Sequence, residues 1–137
     1  MPGGNQIIAW APPDGREVFH TNCPARQVLD HITNRWGIWV LLGLHRGELR
    51  FFELRDRIEG ISEKMLSQTL RQLVADNLVW RRVEATVPPQ VTYGLTEFGV
   101  GTADHLGNMF DWIRGNAASM MEACAEDEAG TGTPARP

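Results

Sequence analysis

Leucine residues in the stretch GISEKMLSQTLRQL, residues 60–73, recur at the spacing of one buried helix face. Leu66, Leu70 and Leu73 lie four and three residues apart, which places them on the same side of a helix. Ser62 precedes this run, and a serine hydroxyl is a good acceptor for the free amides at a helix start. The pattern therefore predicts a helix that Ser62 caps and that runs to about Ala75. It should end at Asp76-Asn77, because asparagine tolerates the left-handed conformation of a helix stop.

Hydrophobic periodicity and turn residues divide the rest of the chain into short elements. Further helices are predicted at Pro24–Ile32, at Trp36–Leu44 and at residues 52–58. The second of these is apolar almost all round, and Thr33 and Asn34 can cap its start. Strands are predicted at residues 49–51, at Leu78–Glu84 and at Val91–Leu95, with a hairpin tip at residues 86–90. A long final helix follows the cap residue Thr96.

Composition marks the two ends of the chain. Proline and glycine recur up to residue 22, which predicts an N-terminal arm over residues 1–22. Small and polar residues dominate after Glu126, which predicts a disordered tail over residues 126–137. One domain is expected between these ends, over residues 23–125.

The side of the predicted 62–75 helix opposite the leucines is rich in hydrogen-bonding groups. It carries Lys64, Ser67, Gln68 and Arg71. The order helix, tight turn, helix and hairpin is that of a winged helix-turn-helix, an α+β but mainly α fold whose second helix enters the DNA major groove. In that fold these four side chains and Ser62 are candidates for reading base edges or binding phosphates. The alternative is an ordinary solvated helix face.

The hairpin adds candidate phosphate contacts at Arg81, Arg82 and Gln90. The whole chain has a net charge of -4, whereas residues 45–82 hold eight basic and six acidic side chains, a net +2, so the remainder carries -6. This moderate polarisation is compatible with a local DNA-binding face on an acidic protein.

Several function classes lack support in the sequence. No apolar run approaches the length of a membrane span, and residues 1–20 lack a signal-peptide pattern, so a cytoplasmic protein is expected. Cys23 and Cys124 have no metal-ligand spacing, and there is no phosphate-binding loop, so neither a metal nor another cofactor is expected. An enzyme using Cys23 as its nucleophile would need a base, for which His20 is the only nearby candidate, so no enzyme is expected.

Short motifs follow one another from Cys23 to about Ile113. They are Cys23-Pro24, Leu29, Arg35-Trp36, Gly47, Arg50-Phe51, Glu53-Leu54, Gly60-Ile61-Ser62, Met65-Leu66, Leu70, Leu73, Leu78-Val79, Arg81-Arg82, Val87-Pro88-Pro89, Val91-Thr92-Tyr93, Leu95-Thr96, Gly99 and Trp112. Together and in this order they resemble the HxlR-type family of bacterial winged-helix transcriptional regulators. The sequence departs from the family pattern at Thr33-Asn34, where the family has two glycines, at Arg35, where it has lysine, and at Asn77, where it has glycine.

The resemblance implies a homodimer that binds an inverted repeat in double-stranded DNA, with Ser62–Ala75 as the recognition helix. The residues themselves support a dimer, because the final helix has more apolar surface than a small winged domain can cover, at Phe98, Leu106, Phe110, Ile113 and Met120. A two-fold dimer would place its recognition helices about 34 Å apart, one turn of DNA.

Cys23 is the candidate for a regulatory thiol. It stands before Pro24 at a predicted helix start, where free amides and the helix dipole favour a thiolate. The resemblance implies that a cysteine at this position is the sensor in those members that respond to oxidants or electrophiles. Cys124 could approach Cys23 of the other subunit and form a cross-link on oxidation. The alternatives are that Cys23 only caps and packs, and that Cys124 lies in a frayed tail.

Aromatic residues indicate a second possible input. Trp36, Trp39 and Trp112 could line a pocket for a small organic effector, although ordinary core packing is the favoured alternative for Trp36 and Trp39.

A protein-interaction module is a further alternative for the whole chain. It predicts weak, salt-insensitive binding to DNA, whereas the affinity of a DNA-binding regulator falls steeply with salt.

Overall fold

The computed structural model describes residues 23–131 and the side chains of residues 23–122. Its helices are α1 (Pro24–Thr33), α2 (Gly37–Gly43), α3 (Phe51–Arg57), α4 (Glu63–Ala75) and α5 (Glu97–Thr131). Its strands are β1 (Leu49–Arg50), β2 (Val79–Glu84) and β3 (Gln90–Leu95). Apart from the end of α5, each predicted helix and strand is present with ends within one residue of the prediction, which confirms the winged helix-turn-helix.

A small antiparallel sheet carries the wing. The strand order is β1-β3-β2, and within the hairpin Arg81 pairs with Tyr93 and Glu84 pairs with Gln90. Residues 85–89 join the two long strands, and at this tip the Thr86 hydroxyl donates a hydrogen bond of 2.7 Å to the Pro88 carbonyl. The hairpin therefore ends in an exposed tip outside the ladder.

The leucine face of α4 lies at the centre of the hydrophobic core. Leu66, Leu70 and Leu73 are each no more than 1% exposed. They belong to a cluster completed by α2, α3 and the sheet, whose other fully buried members are Val40, Leu41, Leu44, Leu54 and Val79. Because α1, α2 and β2 pack against α4 on this side, its opposite face is left to solvent.

The ends of the helices are held by the residues that the sequence predicts. The Ser62 hydroxyl accepts a hydrogen bond of 3.1 Å from the Met65 amide, and Asn77 has a φ of 62°, the left-handed conformation that ends α4. The side chains of Asn34 and Thr96 accept hydrogen bonds from amides in the first turns of α2 and α5. The predicted caps of these three helices are confirmed.

Helix α2 is buried on fewer sides than its apolar sequence predicts. Val40 and Leu41 are fully buried, but Trp39 is 41% exposed. The Trp39 ring contacts Phe110 of α5 edge-on, with ring centroids 5.5 Å apart. Since α2 has neighbours on only part of its circumference, one apolar side remains half open.

Helix α5 extends past the predicted end of the domain. It runs to Thr131 and so includes residues 126–131, which the sequence assigns to a disordered tail. Glu126, Glu128 and Ala129 in this segment have high helix propensity. The predicted arm over residues 1–22 and the last six residues lie outside the described part of the chain. Within that part, no helix is both long and apolar enough to cross a membrane.

The start of α5 packs closely on the end of the helix-turn-helix unit. A Cβ atom at Gly99 would clash with the backbone carbonyl of Leu78, whereas a Cβ atom at Gly115 would meet nothing within 4 Å. Glycine therefore has a packing role at position 99 but not at position 115.

We expect Gly99→Ala to lower the free energy of unfolding by about 2 kcal/mol, because the backbone must shift to admit the methyl group. The matched variant Gly115→Ala should leave stability unchanged or raise it by up to about 1 kcal/mol through helix propensity. Urea unfolding at one fixed protein concentration measures both values. Equal stability of the two variants would contradict the close packing of α5 against Leu78.

Candidate nucleic-acid interface

The exposed face of α4 brings together four of the predicted DNA-contacting side chains, which we call the reading ridge. Lys64, Gln68 and Arg71 are exposed and Ser67 is half-buried. Arg71 Nη1 donates a hydrogen bond of 3.1 Å to Ser67 Oγ, one helical turn away. Because the leucines fix the rotation of α4, these groups project together from one side of the domain.

Ser62 lies at the start of this ridge but its hydroxyl has a structural task. The oxygen accepts the Met65 amide hydrogen as the helix cap, which leaves the hydroxyl hydrogen free to donate. Ser62 can therefore donate its hydroxyl hydrogen to a phosphate oxygen while it caps the helix.

An ion pair ties the two helices of the helix-turn-helix unit together. Arg55 Nη1 of α3 lies 2.6 Å from Glu63 Oε2 in the first turn of α4, and its guanidinium also bonds Asp56. The hydrogen bonds that Arg55 donates to Asp56, the larger cause, and to Glu63 raise the pKa of Arg55. The positive charge of Arg55 is thus compensated within the protein.

A groove between α4 and the sheet holds two guanidinium groups. Arg71 and Arg81 both line it, with Ser67 and Tyr93 among their neighbours and no carboxylate among its lining residues. The positive charges of Arg71, at the edge of the reading ridge, and of Arg81 beside it make this groove suitable for a phosphate group.

Arg82 does not share this position with Arg81. Successive residues of a strand point to opposite faces, so Arg82 lies on the other face of the sheet, over the ring of Trp80. Arg82 Nη2 donates a hydrogen bond of 2.8 Å to Glu48, which is the main cause of its raised pKa. The sequence treats Arg81 and Arg82 as equivalent phosphate contacts, whereas the structure distinguishes them.

Gln90 is the first residue of β3 and pairs with Glu84. It is half-buried at the base of the hairpin tip, and the exposed tip residues precede it. A contact from Gln90 to DNA would therefore come from the base of the wing.

The predicted sensor residues are placed only in part. Cys23 is the N-cap of α1, half-buried and free, and its side chain makes no capping hydrogen bond. Cys124 lies beyond residue 122, outside the described side chains. Within the described region, no group of three His, Cys, Asp or Glu side chains is arranged to hold a metal ion.

The three tryptophans of the predicted effector pocket are not brought together within the chain. Trp36 and Trp39 line a shallow groove with Leu42, Arg57 and Ile58. Trp112 is 63% exposed on α5 and is not among the lining residues. Trp36 and Trp39 stay candidates for such a groove, and Trp112 requires a different explanation.

Arg35 lies beside the reading ridge although the sequence gives it no predicted role. It lines a groove on the other flank of α4 together with Asn34, Trp36, Gln68 and Gln72. It lies at a turn outside the helix-turn-helix motif, so the order of elements assigns it no contact with DNA. The sequence signal is the pair Arg35-Trp36, a basic residue next to an aromatic one at a position where the family has lysine.

The second half of α5 has almost no cover from the rest of the chain. From residue 111 to residue 122 every side chain is exposed except Ala117, which is half-buried. Four apolar side chains on α5 fall on one side of the helix by its 3.6-residue period and are at least 37% exposed: Phe98, Met109, Ile113 and Met120. Of the predicted apolar set, Phe98, Ile113 and Met120 are exposed on the single chain, whereas Leu106 packs against the core and Phe110 contacts Trp39.

Comparisons with known proteins agree with this geometry. The family model described as HxlR-like helix-turn-helix matches residues 31–121. The HTH-type transcriptional regulator YtfH of Escherichia coli K12 is 40% identical over 104 residues, which are 76% of this chain and 82% of that protein.

Two solved structures extend the comparison to the fold. The transcriptional regulator YtfH from Salmonella typhimurium is 39% identical with a TM-score of 0.74, covering 79% of this chain and 96% of that one. The redox regulator HypR in its reduced form is 34% identical with a TM-score of 0.66, covering 72% of this chain and 98% of that one. The chain belongs to the HxlR-like helix-turn-helix family and is a transcriptional regulator of the helix-turn-helix type.

Proposed function

We propose that this regulator binds an inverted repeat in double-stranded DNA, as a homodimer, and reads each half-site with the reading ridge of α4. The main support is the ridge itself, where Lys64 and Arg71 have no carboxylate partner among the described residues and Ser67 and Gln68 offer neutral hydrogen-bonding groups. A side chain such as Gln68 can bond two groups of an adenine edge, while Arg71 can bond two acceptors of a guanine. Arg81 in the adjoining groove then neutralises a backbone phosphate.

A second copy of the chain is the expected cover for α5. The exposed apolar side chains Phe98, Met109, Ile113 and Met120 form a stripe along α5, and Leu29 of α1 is also 55% exposed. A two-fold contact would bury the same stripe on both subunits and set two α4 helices at a fixed spacing. A selection from random duplexes should therefore enrich inverted repeats with half-site centres about one helical turn apart. Enrichment of single, unpaired half-sites would contradict the dimer.

Thiol oxidation is our proposal for the input signal. The relative HypR is by name a redox regulator, and Cys23 is a free, half-buried thiol at the start of α1. Since Leu29 on the same helix belongs to the surface assigned to the partner, a covalent change at Cys23 can alter the spacing of the two subunits. The groove at Trp36 and Trp39 supports a second candidate input, a small organic effector.

We expect Gln68→Ala to weaken binding to the selected operator by about 1 to 3 kcal/mol, because a bidentate base contact is lost. Binding to a random duplex of the same length should change little, so the specificity ratio falls. Fluorescence anisotropy at one fixed salt concentration measures both affinities. An equal loss on operator and random DNA would remove Gln68 from the base-reading set.

The two arginines of β2 form a matched pair for testing the phosphate groove. Arg81→Ala should weaken binding to all sequences alike and reduce the slope of log K against log salt by about 1 for each subunit in contact. Arg82→Ala also removes one positive charge, but that charge is already bonded to Glu48. The free energy of binding to DNA should therefore change by less than about 0.5 kcal/mol. Equal effects of the two variants would contradict the assignment of the groove to DNA.

Oxidation with diamide should change operator affinity of the wild type by about 5-fold to 150-fold, the usual range of coupling between two sites. Cys23→Ser should abolish this response, because the thiol that reacts is gone.

Cys124→Ser tests the proposed cross-link: continued formation of a covalent dimer on a non-reducing gel would exclude a bond between Cys23 and Cys124. Unchanged affinity of the oxidised wild type would favour the effector groove as the input.

A further inference from the structure

Arg35 combines an exposed position with an unneutralised charge. Its guanidinium carbon lies 4.7 Å from the centre of the Trp36 ring, and among the described residues no carboxylate forms an ion pair with it. By contrast, Arg55 is compensated by Asp56 and Arg82 by Glu48. Arg35 is thus a fixed positive charge that the fold itself leaves without an anion.

Stacking on Trp36 positions the guanidinium group of Arg35 and leaves its N–H groups free to donate hydrogen bonds. A cation over an aromatic face is attracted to the ring, while its N–H groups at the edge stay free for hydrogen bonds. Trp36 is itself held, since its amide donates a 2.9 Å hydrogen bond to the Asn34 side chain and its ring borders Gly60 in the turn before α4. The group is therefore partly ordered before any ligand arrives.

The position of Arg35 relative to α4 indicates which ligand it meets. Arg35 and Gln68 line one groove along α4, and Arg81 and Arg71 line the groove on its other side. The reading ridge lies between the two grooves. A helix in the major groove has a phosphate backbone on each side, because the groove is about 12 Å wide and a helix with its side chains nearly fills it.

We propose that Arg35 binds a backbone phosphate on the strand opposite the one that Arg81 contacts, so that two arginines clamp the recognition helix across the major groove. The contact is independent of base sequence, because a phosphate carries no sequence information. This inference rests on the proposed function, since it requires α4 to lie in the groove. It adds to the helix-turn-helix unit a contact from the turn between α1 and α2.

The test uses the full chain and a labelled random-sequence duplex of about 30 base pairs, with affinity measured by anisotropy from about 50 to 200 mM salt. Arg35→Gln should weaken binding roughly fivefold to tenfold for each subunit in contact at about 100 mM salt, and lower the salt slope by about 0.9 per contact. Arg35→Lys keeps the charge and should restore the wild-type slope. Circular dichroism melting of each variant shows that the fold is retained.

Arg46→Gln is the matched control. It removes one exposed and, among the described residues, unpaired charge at the opposite end of α2, where the neighbouring His45 bonds Asp104 of α5. Its slope should equal that of the wild type. An Arg35→Gln protein with wild-type affinity and slope would overturn the inference while leaving the proposed function intact. A wild type that binds no duplex with a salt-dependent affinity would overturn both.

Discussion

Burial of one face of α4 is the constraint on which the rest of the site depends. Leu66, Leu70 and Leu73 are excluded from water, and burial of each such side chain contributes about 1.5 to 3 kcal/mol. Rotating α4 by even a quarter turn would expose this surface, so the core fixes which side chains face outwards. The reading ridge is the geometric consequence of the leucine stripe. Binding and folding therefore depend on opposite faces of the same thirteen-residue helix.

Charge compensation then decides which basic residues remain available to an anion. The chain is acidic overall, yet Arg81 and Arg71 share a groove without a carboxylate among its lining residues, and Arg35 has no acidic partner among the described residues. By contrast, Arg82 donates to Glu48 on the far face of the sheet. A small set of uncompensated cations around one helix is sufficient for local attraction to DNA, because screening limits the influence of the distant acidic residues.

Interactions that are local in sequence could be predicted from it, and those that depend on the fold could not. Periodicity located α4, and cap chemistry located Ser62 and Asn77, since each of these involves residues within one or two turns. The pairing of Arg82 with Glu48 spans 34 residues and depends on the strand register, so the sequence could not separate it from Arg81. The same limit applies to Trp112, which sequence composition grouped with Trp36 and Trp39 and which α5 places elsewhere.

Methylation interference on the selected operator tests the central claim, that α4 lies in the major groove, most directly. Dimethyl sulfate modifies guanine N7 in the major groove and adenine N3 in the minor groove, so one experiment probes both sides of the duplex. We expect methylation of N7 in each half-site to prevent binding, and methylation of N3 between the half-sites to be tolerated. Tight binding that N7 methylation leaves unaffected, or interference confined to N3, would contradict a recognition helix in the major groove.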